Sequence, residues 1–153
     1  MAPRAPVSDL TDHLGYWLRY VSSHVSQAFA RKVADRGVSV AEWVLMRQLL
    51  NGQPLPPSKL AERMGMTRGS ITKLADRLIA KSLLARAADP EDGRAQLLQL
   101  TPAGRALVPK LAALADRNDA EFFEHLTPED RAALFRILRD IVERRGLSSI
   151  PIE

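Results

Sequence analysis

The spacing of apolar residues changes once along this chain, and that change limits the folds available to it. Before residue 83 and after residue 100, apolar residues recur at steps of three and four, which is the period of an amphipathic helix. Between them lie two short stretches, 83–88 and 95–100, that flank the turn-forming run Asp89-Pro90-Glu91-Asp92-Gly93-Arg94. The pattern predicts a mostly α chain with one small β-hairpin.

Helix-capping signals place the first two helices. Apolar residues recur at helical spacing over about residues 9–36, and Gly37 is a natural stop for a helix there. Ser39 and Glu42 have the spacing of a capping box, in which each side chain satisfies a backbone N–H at a helix start. They predict a second helix that runs to about Leu50.

Prolines and threonines place the connector and the last two helices. Three prolines at positions 54, 56 and 57 interrupt helix and strand alike, so residues 51–57 are predicted to be a connector. Thr101-Pro102 and Thr127-Pro128 each put a capping hydroxyl before a proline suited to the first helical turn. They predict helices over about 102–125 and 128–145.

Length and composition favour one globular domain. The chain has 153 residues, 46% apolar and 26% charged, and we expect a domain over residues 9–145, a flexible extension at 1–8 and a tail at 146–153. The absence of cysteine excludes disulfides and thiolate chemistry and is compatible with a cytoplasmic location. No secretory signal and no membrane-spanning stretch is predicted.

Positive charge is concentrated in one stretch of the chain. The net charge is +4, yet residues 56–88 alone contain seven basic and two acidic side chains. The basic residues are Lys59, Arg63, Arg68, Lys73, Arg77, Lys81 and Arg86. They indicate a local basic surface, either a solvated face or a site for a polyanion.

Two short helices are predicted within that stretch, about residues 56–81. Leu60-Ala61, then Met64-Gly65-Met66, then Ile71 and Leu74 resemble a helix-turn-helix, with a small residue in the first helix and glycine at the turn. The second helix opens at Thr67, and its first turns carry small polar and basic side chains opposite an apolar stripe. A helix that enters the major groove of DNA needs that combination.

The segment that follows makes the resemblance specific. Asp89-Pro90-Glu91-Asp92-Gly93-Arg94, continuing to Leu100-Thr101-Pro102-Ala103-Gly104, is similar to the wing signature of the MarR family of bacterial transcription regulators, with its D-x-R and L-T-x-x-G elements. The resemblance extends over about residues 10–145. It implies a winged helix-turn-helix domain with a wing at about 83–101 and long N- and C-terminal dimerisation helices at 9–36, 102–125 and 128–145.

The resemblance also implies which residues meet double-stranded DNA. The second helix of the motif would enter the major groove, with Arg68 as our candidate for reading a base and a phosphate contact as the alternative for it. Lys59, Lys73 and Lys81 are better placed for phosphates. Arg94 would reach the minor groove from the wing, and we expect Asp92 to orient Arg94 or a base of that helix. The predicted DNA-binding set is Lys59, Thr67, Arg68, Gly69, Ser70, Thr72, Lys73, Arg77 and Arg94.

A homodimer on an inverted-repeat operator is the expected assembly. Apolar residues at helical spacing in 134–142 and the pair Phe122-Phe123 supply more apolar surface than one small monomer needs, although a purely intramolecular core is the alternative. Two-fold symmetry then predicts half-sites about 10–10.5 base pairs apart.

Many relatives release DNA when a small phenolic or aromatic anion binds, and this chain offers candidate side chains for such an effector. The ligand-binding candidates are His13, Trp17, Tyr20, Trp43 and Arg47, with His24 on the same stripe as the first three. The alternative is that these aromatic residues pack in the core or between subunits. No metal site and no cofactor is predicted.

The sequence therefore predicts a ligand-responsive repressor and not an enzyme, since no catalytic array and no phosphate-binding loop is present. The alternative is a winged-helix protein-interaction module with only non-specific DNA affinity, which would bind DNA weakly, regardless of sequence and with steep salt dependence.

Overall fold

Helices form most of the chain in the computed structural model, which describes residues 6–148. The elements are α1 (Leu14–Ala34), α2 (Val40–Leu49), α3 (Pro57–Met64), α4 (Arg68–Ala80), β1 (Leu84–Ala88), β2 (Gln96–Leu100), α5 (Pro102–Phe123) and α6 (Pro128–Arg145), with a 3-10 turn at Leu10–Asp12. The prediction of a mostly α fold with one hairpin is confirmed. Residues 1–5 and 149–153, parts of the predicted extension and tail, lie outside the described residues.

The predicted capping residues stand at the helix ends. Ser39 Oγ accepts from the Glu42 N–H at 3.1 Å while the Glu42 carboxylate accepts from the Ser39 N–H at 3.0 Å, so the capping box is confirmed. Thr67, Thr101 and Thr127 each accept from the N–H three residues later at 3.1 Å. These bonds satisfy N–H groups that a helix start leaves without a partner.

The hydrophobic core lies between α2, α3, α4, α5 and the hairpin. The side chains it encloses completely are Val33, Leu45, Met46, Leu60, Ile71, Leu78, Leu84, Leu98, Val108 and Leu111. From α1 only the C-terminal half reaches this core, through Val33. The core therefore holds α4 and the hairpin on a common base.

The connector between α2 and α3 pairs with the hairpin. The Leu55 N–H donates to Leu98 O at 3.1 Å, and the Leu98 N–H donates to Leu55 O at 2.8 Å. Residues 51–57 thus connect α2 to α3, as predicted, and in addition pair with β2 through Leu55. Pro54 and Pro56 block regular structure, but Leu55 between them keeps its N–H and its extended conformation is compatible with a strand edge.

The base of the hairpin is held against the start of α5. Thr101 Oγ1 donates to Ser82 O at 2.7 Å, and the Thr101 N–H donates to Leu83 O at 3.2 Å. A Cβ on Gly104 would lie 2.2 Å from that same Leu83 oxygen. These contacts explain the L-T-x-x-G element. Thr101 bonds to the Leu83 carbonyl, and only glycine at position 104 leaves room for that carbonyl.

Two further polar clusters fix the helices around the core. Lys32 of α1 donates to Asn118 Oδ1 at 3.0 Å and to Glu121 at 2.8 Å, while buried Asn118 donates to Val25 O at 3.1 Å, so α1 and α5 are joined. At the other end of the core, Lys81 joins the end of α4 to Glu42 of α2 at 2.8 Å.

Among the described residues, none of the helices combines the length and the hydropathy needed to cross a membrane.

We predict that Gly104→Ala destabilises the protein by about 1–3 kcal/mol, the usual cost of forcing extra atoms into a packed site. The new methyl group would overlap a backbone carbonyl, which cannot rotate away as a side chain can. Denaturant unfolding at matched protein concentration measures the change. Gly52→Ala is the control, since a Cβ there meets nothing within 4 Å; equal stabilities of the two variants would contradict the steric explanation.

Candidate nucleic-acid interface

Helix α4 separates an apolar face from a polar one. Ile71, Leu74, Ala75 and Leu78 are buried in the core. Of the predicted DNA-binding residues on this helix and its cap, Ser70 is half-buried. The others are exposed, and they are Thr67, Arg68, Gly69, Thr72, Lys73 and Arg77. Ser70 also bonds locally, because the Thr67 hydroxyl donates to its oxygen at 2.9 Å. The solvent face of α4 is therefore small and polar at its start and basic along its length.

The first turn of α4 presents backbone to solvent at Gly69. The heavy atom nearest to a Cβ built there is Thr67 Oγ1, at 4.0 Å, so packing within the chain does not demand glycine at this position. A residue without a side chain lets another molecule approach the helix closely. The unpaired N–H groups of a helix start also attract anions.

Several of the basic side chains in residues 56–88 are already in ion pairs. Lys59 lies 3.5 Å from Glu62, and Arg86 lies 2.5 Å from Asp76. Lys81 lies 2.8 Å from Glu42. No ion pair within residues 6–148 engages the four other cations of this surface, which are Arg63, Arg68, Lys73 and Arg77. These four give the surface its net positive charge. Arg63 lies outside the set predicted from the sequence.

Lys81 has a structural position at the end of α4. Its ammonium group donates to Glu42 and to Gly37 O, both at 2.8 Å, which differs from the phosphate contact expected for it. Burial would raise the pKa of the Glu42 carboxyl, but hydrogen bonds from Lys81 and Ser39 outweigh burial and hold that pKa below its ordinary value. Glu42 is thus an ionised partner that fixes α4 on α2.

The tip of the hairpin is closed by two aspartates. Asp89 Oδ1 accepts from the Glu91 N–H at 2.9 Å, and Asp92 Oδ1 accepts from the Arg94 N–H at 3.1 Å. Asp92 therefore bonds to the backbone N–H of Arg94, so its contact with Arg94 is made through the main chain. The Arg94 side chain is exposed, and no described residue forms an ion pair with it. It extends from a turn whose shape is fixed.

The five ligand-binding candidates do not line one cavity. Trp17 lines an apolar groove of about 620 Å³ between α1 and the ends of α5 and α6. None of the other four lines that groove. Tyr20 instead stacks on His24, with ring centroids 5.1 Å apart, and Trp43 packs edge-on against Phe29 at 6.5 Å. Both His13 and Arg47 are exposed.

Apolar side chains cover the outer faces of α1 and α6. Helix α6 has no buried residue, and six of its large apolar side chains are 37% to 47% exposed: Leu134, Phe135, Ile137, Leu138, Ile141 and Val142. On α1, the exposed apolar residues include Leu14, Trp17, Leu18 and Val21. Leu14, Trp17, Leu18, Val21, Leu134 and Leu138 also line the apolar groove, so the two helices share one continuous apolar surface.

Within the described part of the chain, no three His, Cys, Asp or Glu side chains come together as a site for a metal ion.

Comparisons with known proteins agree with this geometry. Residues 38–95, which include α2, α3, α4, β1 and the turn that precedes β2, match the model of the MarR family. A putative transcriptional regulatory protein for the hcr operon of Thauera aromatica is 28% identical over 131 residues, 85% of this chain and 79% of that protein.

Solved structures share the fold over most of their length. A probable transcriptional regulator from Pseudomonas aeruginosa is 28% identical with a TM-score of 0.75, covering 87% of this chain and 99% of that one. BpsR of Bordetella bronchiseptica, solved to explain how 6-hydroxynicotinic acid regulates its DNA binding, is 26% identical with a TM-score of 0.77, covering 89% and 97%. The resemblance found in the sequence is thereby confirmed: residues 38–95 are a MarR-family domain, and the chain is a winged helix-turn-helix protein of the type found in MarR-family transcriptional regulators.

Proposed function

We propose that this protein is a homodimeric repressor that binds an inverted-repeat operator in double-stranded DNA and releases it when a small aromatic acid binds. Residues 9–145 are its functional unit, and it acts in the bacterial cytoplasm, where such operators lie. The observation that carries the proposal is the exposed face of α4. It combines cations that no ion pair within residues 6–148 engages with a helix start open to close approach.

Two elements would contact DNA together. Arg68 stands in the first turn of α4, where an arginine can donate two hydrogen bonds to guanine in the major groove. Arg94 stands at the tip of the hairpin, from which a guanidinium enters a narrow minor groove. Lys73 and Arg77 follow along α4 and suit phosphates. The core beneath α4 and the hairpin keeps these side chains on one rigid base.

A second copy of the chain is the proposed cover for the apolar surface of α1 and α6. Helix α6 has 18 residues and none is buried, so packing against the core of its own chain does not stabilise it. A partner must therefore bury its apolar side chains. Contiguous apolar patches of this kind mark interfaces. A two-fold axis would present two α4 helices to successive major grooves, as an inverted repeat requires.

We predict that Arg68→Ala weakens binding to the selected operator by about 5- to 150-fold, the factor that corresponds to 1–3 kcal/mol for one base-reading contact. Arg94→Ala is expected to weaken binding most at A·T-rich flanks. Operators would be selected from fragmented genomic DNA of the source organism, and affinities measured by fluorescence anisotropy at fixed salt. Arg117→Ala is the control, because it removes the same charge from the exposed face of α5.

Unchanged operator affinity in both variants would remove Arg68 and Arg94 from the interface. A wild-type protein that enriches no sequence and binds all DNA weakly would instead favour the protein-interaction module.

We predict that Leu138→Glu converts the dimer into a monomer. The Leu138 side chain is 40% exposed within one chain, so the substitution spares the monomer core, whereas in a dimer it would bury an unpaired charge. Sedimentation equilibrium measures the change in mass. Ala103→Glu, at an exposed position in the first turn of α5, is the control that must stay dimeric. A dimer that tolerates glutamate at position 138 would rule out this face as the interface.

We predict that 6-hydroxynicotinic acid, the effector named for BpsR, or a related aromatic acid raises the melting temperature and releases operator DNA. A ligand at 100 times its Kd stabilises the native state by about 2.7 kcal/mol. Trp17 lines the apolar groove, whereas Tyr20 and Arg47 lie outside it, so Trp17→Ala should reduce the shift. If no acid of a phenolic and pyridine panel changes melting or DNA binding, the effector part of the proposal fails and the operator part stands.

A further inference from the structure

An ion pair joins the proposed major-groove helix to the wing. Arg86 Nη2 of β1 donates to Asp76 Oδ1 of α4 at 2.5 Å, and the two side chains are 42% and 59% exposed. Neither residue belongs to the DNA-binding set predicted from the sequence. Because exposed ion pairs contribute little to stability, the energy of folding does not by itself explain this contact.

Asp76 lies on the stripe of α4 that the proposed function places toward DNA. Residues 68, 72 and 76 follow one another at steps of four, which puts their side chains on one face of a helix. Asp76 is also the only acidic residue between positions 63 and 88. A carboxylate in that position would repel phosphates if it stood alone, and Arg86 neutralises it.

Arg86 extends from the face of the hairpin that looks toward α4. Side chains of a strand alternate between its two faces, so Arg86 shares a face with Leu84, which is buried in the core. Its exposed guanidinium therefore stands beside α4, at the junction with the wing. A guanidinium has five N–H donors, and its bond to Asp76 is the one hydrogen bond it forms with the described residues.

We propose that Arg86 contacts a DNA phosphate and that Asp76 is the positioning residue that holds its guanidinium for this contact. The inference rests on the proposed DNA-binding function and adds two residues to it. The carboxylate binds one N–H of the guanidinium, which leaves the other four N–H donors for a phosphate. Because the Arg86 side chain is already ordered before DNA binds, less conformational entropy is lost on binding.

The direction in which operator affinity changes when Asp76 is substituted tests this inference. Asp76→Asn removes a negative charge from the proposed DNA face, so charge alone would tighten binding. The positioning role requires the opposite, and we expect operator affinity to fall about 3- to 10-fold, a loss of preorganisation. Asp140→Asn is the matched control: it makes the same charge change in an exposed Asp–Arg pair on α6, where Arg144 lies 2.7 Å from Asp140.

The salt dependence of binding tests Arg86 itself. Arg86→Gln should lower the slope of log K against log salt by about 0.9 per protomer, the value for one lost phosphate contact on duplex DNA. In the Arg86→Gln background, Asp76→Asn should no longer weaken binding, because the carboxylate acts through the guanidinium. Melting curves check that each variant is folded, and Asp76→Glu, which keeps the carboxylate, should retain most of the affinity.

Tighter or unchanged binding by Asp76→Asn, relative to Asp140→Asn, would overturn the positioning role. An unchanged salt slope in Arg86→Gln would overturn the phosphate contact. Both results presuppose a wild-type protein that selects an operator, so failure of the proposed function, in which no operator is selected, is distinguished from failure of this inference.

Discussion

The arrangement of this protein depends on one close contact, between the carbonyl group of Leu83 and the first turn of α5. Thr101 donates its N–H to that carbonyl and its hydroxyl to the preceding one, and Gly104 leaves the space that the carbonyl occupies. The contact ties three elements together, because Ser82 and Leu83 connect α4 to β1 while Thr101 connects β2 to α5. If it opened, α4, the hairpin and α5 would still share the core but would lose the polar contact that joins them at this junction.

The end of α4 that meets this contact is restrained from a second side. Lys81 bonds to Glu42 and Gly37, and the ionised state of Glu42 is favoured by these bonds and by its capping box. Ser82 then takes a φ of 60°, a left-handed conformation that residues with a side chain seldom adopt. The chain accepts this local cost because the hydrogen bonds around positions 81–83 determine the backbone there.

The elements that the sequence predicted well are those with local causes. Capping hydroxyls at Thr67, Thr101 and Thr127, and the left-handed glycines at 65 and 146, act within a few residues, so a pattern in the chain is enough to locate them. The pairing of Leu55 with Leu98 and of Asp76 with Arg86 depends on how distant segments pack, and no local pattern encodes it. The local pattern that comes nearest is the four-residue step from Thr72 to Asp76, which places Asp76 on the same face of α4 as Thr72 but does not indicate Arg86 as its partner. For the ligand candidates, spacing placed Trp17 and Tyr20 on one helix but could not tell which neighbours each ring would meet.

The pairing of Leu55 with Leu98 restricts the motion of the wing relative to the helices. A hairpin attached only at its base could move relative to the helices, but this one forms two hydrogen bonds with the connector that follows α2. Hydrogen bonds of that kind tolerate little change in length or angle. We therefore expect a displacement of α2 to move β2 as well, because the connector joins α2 to β2 through these two hydrogen bonds.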